Sequence, residues 1–242
     1  MCDEKEDNAL SFSSTGEVKK ENKFTYLFKP KILSNFNTAL YFDEADIKKV
    51  KEKNDKGENV KLMLTDKGVY SISKPSDANW IMDCVKRSIE NGTKIGDMVI
   101  TDSTAGLGGN TISFAKKFKA VNGVEINDIH FFVLRNNIEV LDLGNVNLVK
   151  GNYLNQLDKL KEDVVFIDPP WGGKKYHYIK YFNIRLGKIP IAKVINRLHN
   201  KGTKYVVLKC PYNTNVTDIL RNSEYDNCNV FKSSNIWLLV FY

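Results

Sequence analysis

The 242-residue chain lacks paired cysteines, clustered histidines and long apolar runs, and each absence narrows what it can be. Its four cysteines, Cys2, Cys84, Cys210 and Cys228, show no CxxC spacing, and only three histidines accompany them. That spacing argues against a structural zinc site and a disulfide framework, which leaves buried free thiols as the expectation. No run of about 18 apolar residues is present to span a bilayer. Residues 1–23, MCDEKEDNALSFSSTGEVKKENK, have no apolar centre of the kind a secretory signal requires. An intracellular protein with no membrane partner is therefore expected. With 42% hydrophobic residues the chain can bury one substantial core, which predicts one main domain and a small appendage.

Acidic residues are missing from one long window. No Asp or Glu lies between Asp168 and Asp218, while Lys174, Lys175, Lys180, Arg185, Lys188, Lys193, Arg197, Lys201, Lys204 and Lys209 fall inside it. The net charge is +7, and residues 1–23 are acidic on balance, so the remainder is the more basic part. Solvated surfaces normally mix both signs. An acid-free window of this length points to a polyanion partner, most obviously a nucleic-acid backbone.

Residues 1–22 have the polar, charged composition of disorder. Residues 23–68 read as a small N-terminal extension, dense in aromatics from Phe24 onward, with a helix predicted from Asp43. Within it and just beyond, VKLMLTDKGVYSIS suggests two short strands joined at Asp66–Gly68. The main domain, 69–242, opens with a helix that Ser73 or Ser76 caps, with Pro75 in its first turn and Asn91-Gly92 at its end. Helical spacing puts Trp80 with Ile81, Cys84, Val85 and Ile89, which makes Trp80 a core residue. From Met98 the chain alternates strand and helix, with strands near 98–102, 120–126, 146–152, 164–168 and 204–210, and closes with two extended runs about Ser233-Ser234-Asn235. That order implies an α/β fold with a mostly parallel sheet of seven strands, covered on both faces and ending in an antiparallel hairpin.

In such sheets ligands bind beyond the carboxyl ends of the strands, where the strand order reverses. The first turn there reads DSTAGLGGNT, with Asp102 at the strand end and Gly106, Gly108 and Gly109 ahead of a helix. Glycines allow close backbone approach, and the helix start offers free N–H groups. The dinucleotide signature GxGxxG is absent. An acid at the strand end repels a pyrophosphate but suits a ligand with a cationic amine, and S-adenosylmethionine carries that amine and no phosphate. Glu125, ending the second strand, is placed to accept both hydroxyls of a ribose, and Asn152, after the third, to bond an adenine edge. Thr104, Asn110 and Thr111 in the turn, with Ile126 and Tyr153 beside the two strand ends, complete the predicted cofactor set.

The fourth strand runs into VVFIDPPWGG. Asp168 and the Pro169 carbonyl, fixed by the Pro169-Pro170 corner, offer two acceptors for the hydrogens of an exocyclic base amine. Trp171 supplies a flat face for the base. A cationic base such as N7-methylguanine would add a cation–π contribution.

TDSTAGLGGNTISFA, RNN at Arg135–Asn137, DVVFIDPPWGGKKY and YFNIR at Tyr181–Arg185 together resemble the trimethylguanosine synthases, which methylate N2 of a 7-methylguanosine RNA cap. The resemblance covers roughly residues 69–215. It implies a Rossmann-like class I S-adenosylmethionine-dependent methyltransferase fold whose N-terminal helical extension helps to close the cofactor pocket. It further implies that Ser73, Asp102 and Glu125 contact the cofactor, that Asp168, Pro169 and Pro170 position the guanine amine, that Trp171 stacks on the methylated base, and that Asn137 bonds the guanine. Arg185, Tyr212 and Asn213 join the substrate side. The implied partner is 7-methylguanosine-capped RNA, the implied product of the cofactor S-adenosylhomocysteine, with no metal and a monomeric chain.

Two positions depart from the family pattern. Its usual SPPW is DPPW here, and CPYNTN carries Tyr212 where the resemblance implies a cap-phosphate arginine, which leaves Lys174, Lys175 or Lys209 for the phosphates. DPPW also fits methylation of guanine N2 or adenine N6 within rRNA, tRNA or DNA, and an inactive RNA-binding subunit is a third reading. The abundance of Asn and Lys suits an AT-rich genome such as that of a large DNA virus. A viral protein is expected in the viral factory, and any other in the nucleus or cytoplasm.

Overall fold

The computed structural model describes residues 30–89 and 93–242. Residues 1–22, read from the sequence as disordered, and the Asn91-Gly92 helix end lie outside the described residues. Strands β1 (Val99–Asp102), β2 (Ala120–Glu125), β3 (Val146–Lys150), β4 (Val164–Ile167) and β7 (Tyr205–Pro211) run parallel. The closing hairpin, β8 (Cys228–Lys232) and β9 (Ile236–Phe241), adds β9 antiparallel to β7. The seven strands follow the order β3-β2-β1-β4-β7-β9-β8, so the winding reverses between β1 and β4. This is the doubly wound sheet with an antiparallel hairpin that the strand pattern predicts.

Strands β4 and β7 are buried along their whole length because helices cover both faces of the sheet. On one face α2 (Pro75–Ser88) and α3 (Gly109–Ala115) contribute Ile81, Val85 and Phe114, which pack against Ile100, Phe166 and Val207. On the other, α6 (Ile191–Lys201) presents Ile191, Val194, Ile195 and Leu198, an i, i+3, i+4, i+7 stripe, to Val165, Ile167 and Leu208. Trp80 is half-buried against the first of these cores, in keeping with the helical spacing. Cys84 and Cys210 are buried free thiols and Cys228 is half-buried, while Cys2 lies outside the described residues.

A third core joins the N-terminal residues to the rest. Phe42, Leu62 and Leu64 pack with Leu107 of the glycine turn and with Val133, Leu134 and Ile138 of α4 (Asp128–Val140). At the edge of this core Lys116 bonds Asp43 and Asp46 at 2.6 and 2.7 Å, which ties the start of α1 (Glu44–Asp55) to the end of α3.

The segment 60–73 differs from its pattern. In place of two strands it makes one isolated bridge, Ile32 to Thr65, and a 3-10 turn at Gly68–Tyr70. The Thr65 hydroxyl accepts from the Gly68 N–H at 2.9 Å and turns the chain. Neither serine caps α2: the cap position is Lys74 without a side-chain bond, because the Ser73 hydroxyl is engaged elsewhere. A short hairpin, β5 (Arg185–Leu186) and β6 (Ile189–Pro190), has no counterpart in the sequence reading. Its turn is at Gly187, φ +59°.

The packing of the glycine turn generates a direct test. A methyl group on Gly109 would stand 2.4 Å from the Ser73 carbonyl and 2.8 Å from the Ile72 side chain, and the carbonyl cannot swing aside. Gly109→Ala is expected to lower stability by about 1–3 kcal/mol, read as a lower urea midpoint at unchanged slope.

Candidate functional site: the crevice at the switch point

Strands β1, β2 and β4 end at one edge of the sheet, and their last residues or the next ones are Asp102, Glu125 and Asp168. Asp102 is buried, and its carboxylate accepts from the Thr111 hydroxyl at 2.7 Å. Burial pushes its carboxyl up to about 7, with the Thr111 bond acting the other way and the charges of Asp168 and Glu125 reinforcing the rise. The Glu125 oxygens accept from the Gly106 and Asn127 N–H groups at 2.8 and 2.7 Å, so this carboxylate organises the turn above it. Burial raises its pKa, against the pull of those backbone donors. The turn uses left-handed backbone at Gly106 (φ +57°) and at Gly108 (φ +103°), which begins α3.

Thr104 accepts from the Asp168 N–H at 2.9 Å, which ties the first strand's turn to the DPPW corner. Asn110 donates to Ser73, while its side-chain oxygen is buried with no partner among the described residues. Beyond Glu125, Ile126 is 63% exposed, an apolar side chain left bare beside the carboxylate. A buried acceptor without a donor, two strand-end carboxylates and a helix start fit the amine, ribose and carboxylate of S-adenosylmethionine. Among the described residues no group of three or more His, Cys, Asp or Glu side chains is arranged to hold a metal ion.

Asp168 is paired with Lys209, Nζ to carboxylate 2.7 Å, and the same ammonium bonds the Ser73 hydroxyl at 3.0 Å. It also lies 5.7 Å from the centre of the Trp171 ring. Burial raises the Asp168 pKa, and Lys209 counters that rise by charge and hydrogen bond. Pro169 is buried and Pro170 exposed. Trp171 is half-buried, with Tyr176 edge-on at 5.3 Å.

Four predicted site residues are placed differently. Asn137 does not face the crevice: it is fully buried, accepts from the Met63 N–H, and donates to the carbonyls of Met63 and Leu107. With those bonds it latches the N-terminal residues to the glycine turn. Lys209 is 5% exposed and committed to Asp168, so it does not reach out to phosphates. Tyr153 lies in the core under α6, where burial drives its phenol well above the ordinary range. Asn213 clamps the loop after Trp171, donating to the carbonyls of Tyr176 and Ile179. Asn152 caps α5 (Tyr153–Gln156), its carbonyl accepting from Leu154, so only its amide can face a ligand. Lys175, Arg185 and Tyr212 are exposed, and Lys174 lies in the 3-10 turn Gly173–Tyr178. Sequence reasoning missed the pairing of Lys209 with Asp168, although a lysine inside the apolar run YVVLKC is a signal for a buried partner.

Residues 97–235 match the family of RNA cap guanine-N2 methyltransferases. The chain belongs to that family. As a member of the RNA cap guanine-N2 methyltransferases it is similar to the uncharacterized protein L320 of Acanthamoeba polyphaga mimivirus, 34% identical over 63% of this chain and 68% of that one. It is also similar to the trimethylguanosine synthase of Saccharomyces cerevisiae, 26% identical over 68% of this chain and 53% of the other. For the Schizosaccharomyces pombe trimethylguanosine synthase the identity is 28%, over 50% and 53%. The chain therefore spans about half the length of the two yeast relatives. The fold is matched by precorrin-6y C5,15-methyltransferase from Geobacter metallireducens, with a TM-score of 0.51, 18% identity and coverage of 71% and 89%. No helix among the described residues is long and apolar enough to cross a membrane.

The raised Asp102 pKa sets a pH dependence for this family member. A folded-state pKa above the unfolded one means that the buried carboxyl favours folding below about pH 4 and loses that advantage as pH rises through about 7. Asp102→Asn, which keeps an acceptor for Thr111, is expected to raise the unfolding temperature at pH 8 and to leave it nearly unchanged at pH 4. Thermal scans at the two pH values check this.

Proposed function

We propose that the chain methylates the exocyclic N2 amine of a 7-methylguanosine RNA cap, forming the 2,7-dimethyl and, with a second transfer, the 2,2,7-trimethyl cap. The observation that supports this best is the DPPW corner. Asp168, Pro169 and Trp171 stand at the switch point, bonded through Thr104 to the turn that Asp102 and Glu125 organise. S-adenosylmethionine, when bound, supplies an electrophilic methyl group, and S-adenosylhomocysteine is what remains.

In this reading Asp102 and the unpartnered Asn110 oxygen face the cationic amine. The Glu125 carboxylate, held by the backbone donors of the turn, meets the ribose hydroxyls, and Ile126 lies against the adenine. The Asn152 amide bonds the adenine edge. The remaining chemistry is positioning. The guanine N2 lone pair is delocalised into the ring, and two acceptors on its hydrogens, the Asp168 carboxylate and the Pro169 carbonyl, turn it toward the methyl. Lys209 holds Asp168 charged and aimed. After transfer the nitrogen's extra proton leaves to Asp168 or to water. Trp171 takes the face of the cationic base, and Lys175 with Lys174 replaces the missing arginine at the cap phosphates.

The acceptor test compares 7-methylguanosine diphosphate, GTP and uncapped RNA, with products read by mass. Methylation of the first alone is expected, whereas methylation of uncapped RNA would favour an enzyme acting on internal bases. Trp171→Ala is expected to raise KM for the cap analogue roughly tenfold while changing kcat less. Lys209→Met removes the charge that counters burial at Asp168, so the acid limb of the kcat profile is expected to move to higher pH. An unmoved limb in that variant would show that Asp168 does not titrate in the reaction.

A further inference from the structure

The acid-free window divides into two parts. Arg197 pairs with Asp158, Lys201 with Glu162, Lys204 with Asp163 and Lys209 with Asp168, so four of the five basic residues of its second half, all but Lys193, are neutralised by carboxylates from the segment before it. Lys175, Lys180 and Lys188 have no carboxylate partner among the described residues, and all three are exposed. They share the loop after Trp171 with bare aromatic rings. Tyr178 is 90% exposed and Tyr181 64%, and Tyr212 beside them is 41% exposed. Apolar and aromatic side chains this open, on one short loop, are not a packing solution.

The loop is nevertheless held in place. Asn213 donates to the Tyr176 and Ile179 carbonyls, the Phe182 N–H reaches the Asn213 carbonyl, and Asn215 returns a bond to Phe182. Ring contacts lead outward from the base-binding corner, from Trp171 to Tyr176 at 5.3 Å, Tyr176 to His177 at 3.9 Å, and His177 to Tyr212 at 6.4 Å. A fixed backbone carrying exposed rings interleaved with lysines that have no carboxylate partner, Lys180 lying 5.5 Å from the Tyr181 ring centre, is the arrangement that binds single-stranded nucleic acid, rings for bases and ammonium groups for phosphates.

We infer that the loop 173–188, with Tyr212, binds the first few nucleotides of the RNA chain behind the cap, stacking bases on Tyr178 and Tyr181 while Lys180 and Lys188 meet the phosphates. This rests on the cap reading above, and it makes capped RNA, not the free cap, the preferred substrate. An acidic protein segment would satisfy the lysines but would have no use for the rings.

The test uses the full chain and two readouts. Methyl transfer to 7-methylguanosine diphosphate reports the cap reading alone. Fluorescence anisotropy of a labelled single-stranded RNA of about six nucleotides, capped and uncapped, reports the loop. The capped hexamer is expected to show a KM roughly tenfold or more below that of the free cap, and the loop's share of binding is expected to weaken with salt with a logarithmic slope of about −1.4, as for two single-strand phosphates. Tyr178→Ala with Tyr181→Ala, and separately Lys180→Ala with Lys188→Ala, are expected to remove most of that gain while leaving turnover of the free cap unchanged. Tyr178→Phe with Tyr181→Phe is expected to restore it. Hexamer affinity unchanged in the two alanine pairs, or competition by polyglutamate as effective as by RNA of equal charge, overturns the inference. Absence of methyl transfer to the free cap, with hexamer binding intact and ring-dependent, would overturn the cap reading and not the loop.

Discussion

The crevice depends on one buried ammonium group. Lys209 sits inside β7, itself buried, and its ammonium bonds the Asp168 carboxylate and the Ser73 hydroxyl and lies 5.7 Å from the centre of the Trp171 ring. An isolated charge in such a place would be costly unless it lost its proton or found a partner. The pair survives because each member satisfies the other and Ser73 takes a further donor. Removing either partner alone leaves an uncompensated charge, a loss of about 3–5 kcal/mol. That coupling fixes the position of the carboxylate at the end of β4.

Ser73 extends the coupling beyond the pair. Its hydroxyl also accepts from Asn110, and its carbonyl closes on Gly109 so tightly that no side chain fits between them. The start of α2, the glycine turn and the DPPW corner are thus one mechanical unit. Below them Leu107 is enclosed by Gly68 on one side and by the α4 side chains on the other, and Asn137 stitches its carbonyl to Met63. Phe42, Leu62, Met63 and Leu64 therefore contribute to the shape of the turn through packing. A disturbance at residues 62–68 is transmitted to the turn because a packed core has no slack to absorb it.

The sheet and the strand-end acids were readable because they depend on local pattern. Apolar runs alternating with helical periodicity give the strand count, and a carboxylate at the last position of a buried strand has few places to go except the crevice, which is how Asp102, Glu125 and Asp168 were found. What was misread depends on distance along the chain. Asn137 was placed on the substrate side by resemblance alone, and the partners that bury it lie 74 and 30 residues away. Lys209 looks like one lysine in a basic run, and its partner is 41 residues back. The strands expected at 60–73 were lost to a side-chain bond, Thr65 to Gly68, that diverts the backbone into a turn.

Charge counting along a sequence has the same weakness, and the structure shows why. Ten basic residues without an acid between them suggest a broad polyanion surface. Four of the ten neutralise Asp158, Glu162, Asp163 and Asp168, which stand just outside the window and fold back onto it. Parallel β4 and β7 are neighbours in the sheet, so the acids that flank one meet the bases that flank the other. Apart from Lys193 on α6, the charge left without a carboxylate lies on the loop after Trp171. Electrostatic attraction that acts through exposed groups is screened within roughly 10 Å, so a compact patch beside the corner does more for the geometry of binding than the same charge spread over the molecule.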